Sequence, residues 1–197
     1  MKVSVVVVLL VLGLGSWFVF RVRAKSADEG AKPIVSNLSN KNPADAGKEL
    51  RRMMLTMAPE DSGVSPTKEF PRVYGILMDW PIGEQTATIF STCTGSASLY
   101  TTSTFGIIGG EGHASVRAAS MAFVKAAARF YDVAAATSEY PYPAADKVRF
   151  YLLTFTGVRV TETDVASVSQ GTGTYAELFG LGQAVMTELR LSVPNAK

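Results

Sequence analysis

The sequence predicts an α+β domain: a mostly antiparallel five-stranded sheet packed with three helices, preceded by one apolar N-terminal helix. Three observations lead there. Short runs rich in β-formers are joined by tight turns holding Gly and Pro, which is hairpin spacing and implies antiparallel pairing. Three longer segments carry apolar residues at a helical period. The first twenty-five residues differ in kind, with no charge between Val3 and Phe20.

That apolar run includes Val5 to Leu12 unbroken and ends in Trp17-Phe18-Val19-Phe20. Eighteen helical residues reach about 27 Å, near the hydrocarbon thickness of a bilayer. Arg21, Arg23 and Lys25 follow at once, where a cleaved signal peptide would place small residues. The segment 1–25 therefore reads as a retained, single-pass signal-anchor in contact with membrane lipid. The basic residues on its C-terminal side place the following domain in the cytoplasm by the positive-inside rule. Large domains can be translocated despite flanking charge, so the extracytoplasmic side is the alternative.

Residues 26–41 read as a flexible linker, and 42–197 as one globular domain. Asn42-Pro43-Ala44-Asp45 has the form of a helix start, with a cap, a proline at the first turn and an acid at the positive dipole end. Ala46, Leu50, Met53, Met54 and Met57 share one face of that helix. Three strands follow: Val73–Trp80, Thr86–Cys93 and Ala97–Thr102. Hydroxyls crowd the second and third, which predicts one wet face. Phe105–Gly112 reads as a Gly-rich crossing. The Ala-rich stretch Ala114–Ala135 reads as a helix with Val116, Phe123, Ala127 and Phe130 inward, and with Arg117, Lys125 and Arg129 solvated. Two more strands, Val148–Thr154 and Gly157–Thr163, lead through a loop over Ser167–Thr174 to a final helix. Thr174-Tyr175-Ala176-Glu177 fits a capping box for it, and Leu178, Leu181, Val185 and Leu189 form its buried face. The order α-β-β-β-α-β-β-α resembles the layout of profilin-like and roadblock-like domains. The resemblance is in element order alone and carries over no residue role.

Charge and composition exclude some chemistries. The net charge of +2 is nearly balanced and partly belongs to the juxtamembrane cluster. No stripe of Lys and Arg is present for a phosphate backbone, so nucleic acid is not an expected partner. A chain with one Cys and one His lacks ligands for a His/Cys zinc site, and no metal or cofactor is expected.

Two constellations remain. Gly109, Gly110, Gly112 and His113 lie between a strand and a helix, where backbone N–H groups can hold an anion. They match neither a Walker loop nor the dinucleotide fingerprint, and Glu111 opposes a phosphate. The structural reading is a crossover in which glycines supply positive φ. Cys93 and His113 are the one thiol–imidazole pair, with Asp79 or Glu111 available to orient the imidazole. Against this, a free cysteine is usually a small buried apolar residue. The carboxylates Asp79, Glu84, Glu111, Glu162 and Asp164 are scattered and read as solvated. Tyr140-Pro141-Tyr142-Pro143 reads as an exposed aromatic loop suited to a partner contact. No residue is assigned as catalytic. The expected function is a membrane-anchored protein-interaction or scaffold module, acting on a protein partner or a second copy. The alternatives are a small-ligand or anion site at Gly109–His113, and a hydrolase using Cys93 and His113.

Overall fold

The computed structural model describes residues 43–103 and 106–193. The expected membrane helix 1–25, the linker 26–41 and the capping residue Asn42 lie outside them. Among the described residues no helix is long and apolar enough to cross a membrane. In chain order the elements are α1 (Pro43–Thr56), β1 (Val73–Ile82), β2 (Gln85–Thr92), β3 (Ala97–Thr101), β4 (Gly106–Ile108), α2 (Ala114–Ala127), β5 (Ala135–Thr137), β6 (Lys147–Thr154), β7 (Gly157–Asp164), α3 (Val165–Ser169) and α4 (Ala176–Ser192).

The α+β class and the antiparallel sheet match the expectation. The count does not: among the described residues the sheet has seven strands, in the order β4-β3-β2-β1-β6-β7-β5, and there are four helices. Both additional strands are three residues long and lie at the sheet edges. Three residues are too few to display a period of two. β4 occupies the Gly-rich crossing. β5 includes Ala135, which alanine's helix propensity assigns to the preceding helix. That helix instead ends at Ala127 and tightens into a 3-10 turn over Ala128–Phe130. Ala135 then pairs with Val160 of β7, so a tertiary partner overrides local preference. α3 is five residues long and runs from Val165 into the segment read as loop over Ser167–Thr174. The capping box also fails to form: α4 starts at Ala176 without a side-chain cap, and Glu177 reaches Arg129 at 2.8 Å instead.

Alternation along each strand divides the core between two faces. On one face Ile76, Met78, Ile89, Leu99, Phe150 and Leu152 meet Val116, Phe123 and Ala127 of α2 and Leu178, Val185 and Leu189 of α4. Gly182 permits a close approach there, since a Cβ on it would stand 2.5 Å from the Met78 methyl. Each large apolar side chain buried this way contributes roughly 1.5–3 kcal/mol. On the other face Leu77, Phe90, Tyr100, Tyr151 and Leu153 meet Leu50, Met54 and Leu55 of α1. Gly47 lets α1 approach β3, where a Cβ would meet the Thr101 carbonyl oxygen at 2.6 Å. The expected apolar face of α1 is thus rotated: Arg51 and Leu55 are its buried positions, whereas Met53 and Met57 are half-exposed. The face expected to be wet is also closed over. Thr88, Ser91, Thr92 and Ser98 are all buried, because α1 covers one side of the β2–β3 hairpin and α2 the other.

Candidate functional site

The densest polar constellation lies under α1. Asp79 projects from β1 with no exposed surface, and Arg51 descends from α1 with 5% of its surface exposed. Arg51 Nε donates to Asp79 Oδ1 and Oδ2 at 3.1 and 3.0 Å, and Nη2 donates to Oδ2 at 2.5 Å. The remaining donors turn to the loop after β5, with Nη1 on the Tyr140 carbonyl at 2.8 Å and Nη2 on that of Pro141 at 3.3 Å. The guanidinium also stacks on Tyr142, 4.2 Å from the ring centre, and lies 5.4 Å from that of Tyr151. Thr88 completes the carboxylate by donating to Oδ1 at 2.5 Å.

Electrostatics follow from this geometry. Burial pushes the Asp79 carboxyl above the usual aspartate range, opposed by hydrogen bonding and charge from Arg51 and by the Thr88 hydroxyl. Burial also works against the Arg51 charge, but Asp79 outweighs it and holds the guanidinium protonated. Removing either partner would leave a buried charge without compensation, which is the expensive case. Both carboxylate oxygens are taken, by Arg51 and Thr88, so the pair joins three elements. The Tyr140–Pro143 loop shares that role. Besides receiving Arg51, it takes the Tyr151 hydroxyl on the Pro141 carbonyl at 2.6 Å.

Asp79 is one member of a polar row across the sheet. Cross-strand register aligns Tyr100, Thr88, Asp79, Arg149 and Glu162 on the α1 face. Burial falls along it. Arg149 and Glu162 form a pair whose side chains are 19% and 35% exposed, at the wall of an open groove of about 400 Å³ that also takes in Thr137, Glu139 and Tyr151.

The Gly109–His113 turn joins β4 to α2, and the fold uses most of it. Gly109 has φ of 74°. Gly110 has no room for a side chain, since a Cβ would stand 2.6 Å from Val116 and 2.7 Å from Leu189. Its N–H donates to the Ala97 carbonyl, and its own carbonyl accepts from His113 N–H. Gly112 has neither constraint: its φ is ordinary and nothing approaches within 4 Å. The Glu111 carboxylate lies against Gly109, 3.4 Å from where a Cβ would stand, and the Glu111 carbonyl accepts from Arg117. His113 is exposed at the N-cap of α2 without a side-chain cap.

Cys93 lies elsewhere. It follows β2, its N–H donating to the Tyr74 carbonyl at 2.7 Å, and it borders an open groove of about 520 Å³ with Val64, Phe70, Thr94 and Met121. Neither His113 nor Glu111 lines that groove. Asp79, the other acid considered for orienting the imidazole, is committed to Arg51. Burial raises the Cys93 thiol, away from the thiolate that a nucleophile needs. Among the described residues no three His, Cys, Asp or Glu side chains gather to hold a metal ion.

Neither a protein-family model, a curated protein nor a solved structure matches this chain. Sequence reasoning missed Arg51 altogether and read Asp79 as solvated. One signal was present: Asp79 interrupts an otherwise apolar strand, and a charge in that setting needs a buried partner.

Proposed function

We propose that this chain is a membrane-tethered interaction module in which Arg51 fixes the α1 helix to the sheet. The observation that carries the reading is the Arg51 anchorage. α1 is the first described element after the apolar run Val3–Phe20 and the linker 26–41, and its guanidinium is bound to a buried carboxylate, two carbonyls and an aromatic face. A helix held by apolar contacts alone can slide or rotate with small loss. A bidentate, desolvated ion pair admits one register and one rotation.

Side chains rather than strand addition would carry partner recognition in this reading. The edge strands β4 and β5 are three residues each, a length that limits pairing with another chain. The partner is a protein or a second copy of the chain, and membrane lipid is met through the N-terminal helix.

Two measurements test the proposal on the full chain. Alkaline extraction of membranes should leave the chain in the pellet with residues 1–25 intact, and an N-terminus found near Ala27 would remove the tether. Chemical crosslinking in intact membranes, read by mass spectrometry, should give reproducible links between 43–193 and one protein or a second copy. A chain that crosslinks to nothing and sediments as a monomer in detergent would overturn the interaction module.

A further inference from the structure

The Arg51 network is saturated from within, and the Gly109–His113 turn serves the chain path. A third polar cluster, at the Val73 end of β1, is arranged differently. Arg72 and Arg159 both lie against the ring of Tyr131, with guanidinium carbons 4.2 and 4.5 Å from its centre. Three separate parts of the chain supply these groups: the start of β1, the turn after α2, and β7. The β6–β7 hairpin turn adds Thr156, whose hydroxyl lies 3.2 Å from the Tyr131 hydroxyl. Thr154 in turn lies 3.2 Å from Thr156.

Stacking occupies the faces of the two guanidinium groups, while their N–H donors lie in plane at the edges. Arg72 gives one donor to Asp132 at 2.9 Å, and Arg159 gives one to the Ala134 carbonyl. Arg159 meets no carboxylate at ion-pair distance among the described residues. Two positive charges and the one negative charge of Asp132 leave the cluster cationic. Arg72 and Thr156 are exposed, and Tyr131 and Arg159 are half-buried. The cluster is therefore open to a ligand, yet its cations are held in place by the ring. The phenol itself responds to the local potential. The Thr156 hydroxyl, then Arg159 and Arg72, pull its ionisation below the usual tyrosine value.

We propose that Arg72, Tyr131, Thr156 and Arg159 form a binding site for an oxyanion presented by a protein partner. The inference rests on the interaction-module reading for its source and on the cluster itself for its chemistry. Guanidinium edges are the donor set that recognises a carboxylate or a phosphoryl group, and Arg and Tyr are residue types enriched among the strongest contacts of protein-protein recognition. Asp132 bounds the site on the Arg72 side and disfavours a highly charged ligand.

Nuclear magnetic resonance of the arginine Nε–H groups in the detergent-solubilised full chain tests it, with sodium acetate, inorganic phosphate and sodium chloride as probes at matched ionic strength. Acetate or phosphate should shift the Arg72 and Arg159 signals saturably, with chloride producing neither the shift nor saturation. Tighter binding of acetate would name an acidic side chain as the source, and tighter binding of phosphate a phosphorylated one. Arg159→Gln should weaken the tighter probe by about tenfold or more, the scale of a charge-assisted hydrogen bond. Tyr131→Phe removes only the hydroxyl, keeps the ring, and should weaken it by a smaller factor. Arg190→Gln, on exposed α4 surface, should change nothing. Equal, unsaturated shifts with all three salts would overturn the site. Saturable binding by a chain that captures no partner would keep the site and remove the interaction module. Partner capture without saturable binding would do the reverse.

Discussion

The two faces of the sheet are covered by helices on different principles. Against α2 and α4 the contact is mainly apolar, with Phe123, Val185, Leu178 and Leu189 wholly buried and the buried Ser120 hydroxyl of α2 donating to the Thr92 and Ser96 carbonyls. Many interchangeable contacts share the load there, and the burial of area sets the strength. Against α1 a smaller apolar patch surrounds one buried ion pair, Arg51–Asp79. The apolar face provides most of the stability. The polar face provides orientation, because a carboxylate with no exposed surface accepts a single arrangement of its partner.

Substitutions on each face should separate these roles. Phe123→Ala should cost about 3–5 kcal/mol by leaving a large cavity, with no dependence on pH beyond that of wild type, as read by urea unfolding. Arg51→Met should cost a comparable amount, about 3–5 kcal/mol at neutral pH, by stranding a buried carboxylate. Its signature is the pH dependence. Burial already holds the Asp79 carboxyl above its unfolded value, and losing the cation raises it further. A raised folded pKa means that the proton favours the folded state. The variant should therefore be most stable below the ordinary aspartate range and lose stability as pH rises through the raised value. A flat profile would mean that Asp79 finds another partner.

Smaller effects sharpen the comparison. Gly110→Ala should cost about 1–3 kcal/mol by forcing a Cβ against Val116 and Leu189 on the apolar face. Gly109→Ala should cost about 1 kcal/mol through its positive φ, and Gly112→Ala should stay within about 0.5 kcal/mol. Melting temperatures of the three variants should keep that order; a loss at Gly112 equal to that at Gly110 would point to a ligand or contact at the turn. At the rim of the polar row, Glu162→Gln should cost no more than about 1 kcal/mol, because its pair with Arg149 is partly solvated and screened.

The difference between the faces also governs how much could be read from the sequence. The apolar face follows periodic rules, and α2 and α4 announce their inward positions through Val116, Phe123, Ala127, Leu178, Val185 and Leu189. The polar face breaks them. Arg51 counts as a solvent residue in any helical pattern, so the inward face of α1 is misplaced by part of a turn towards Met53 and Met57. Thr88, Thr92 and Ser98 read as wet because hydroxyls usually are. β4 and β5 are too short for periodicity and exist through pairing with Ser98–Tyr100 and Val158–Val160. The Arg72–Tyr131–Arg159 cluster draws on residues far apart in the chain, and only the fold brings them together.

Arg51 and Asp79 act as one unit that locks α1 to the sheet. A double-mutant cycle in urea unfolding at neutral pH, using Arg51→Met, Asp79→Leu and the combined variant, tests it most directly. Each single change strands one buried charge, and the combined change strands neither. The combined variant should be more stable than the sum of the single losses implies, with a coupling on the order of 2 kcal/mol. Losses that add within about 0.5 kcal/mol would show that the two residues act independently and would contradict it.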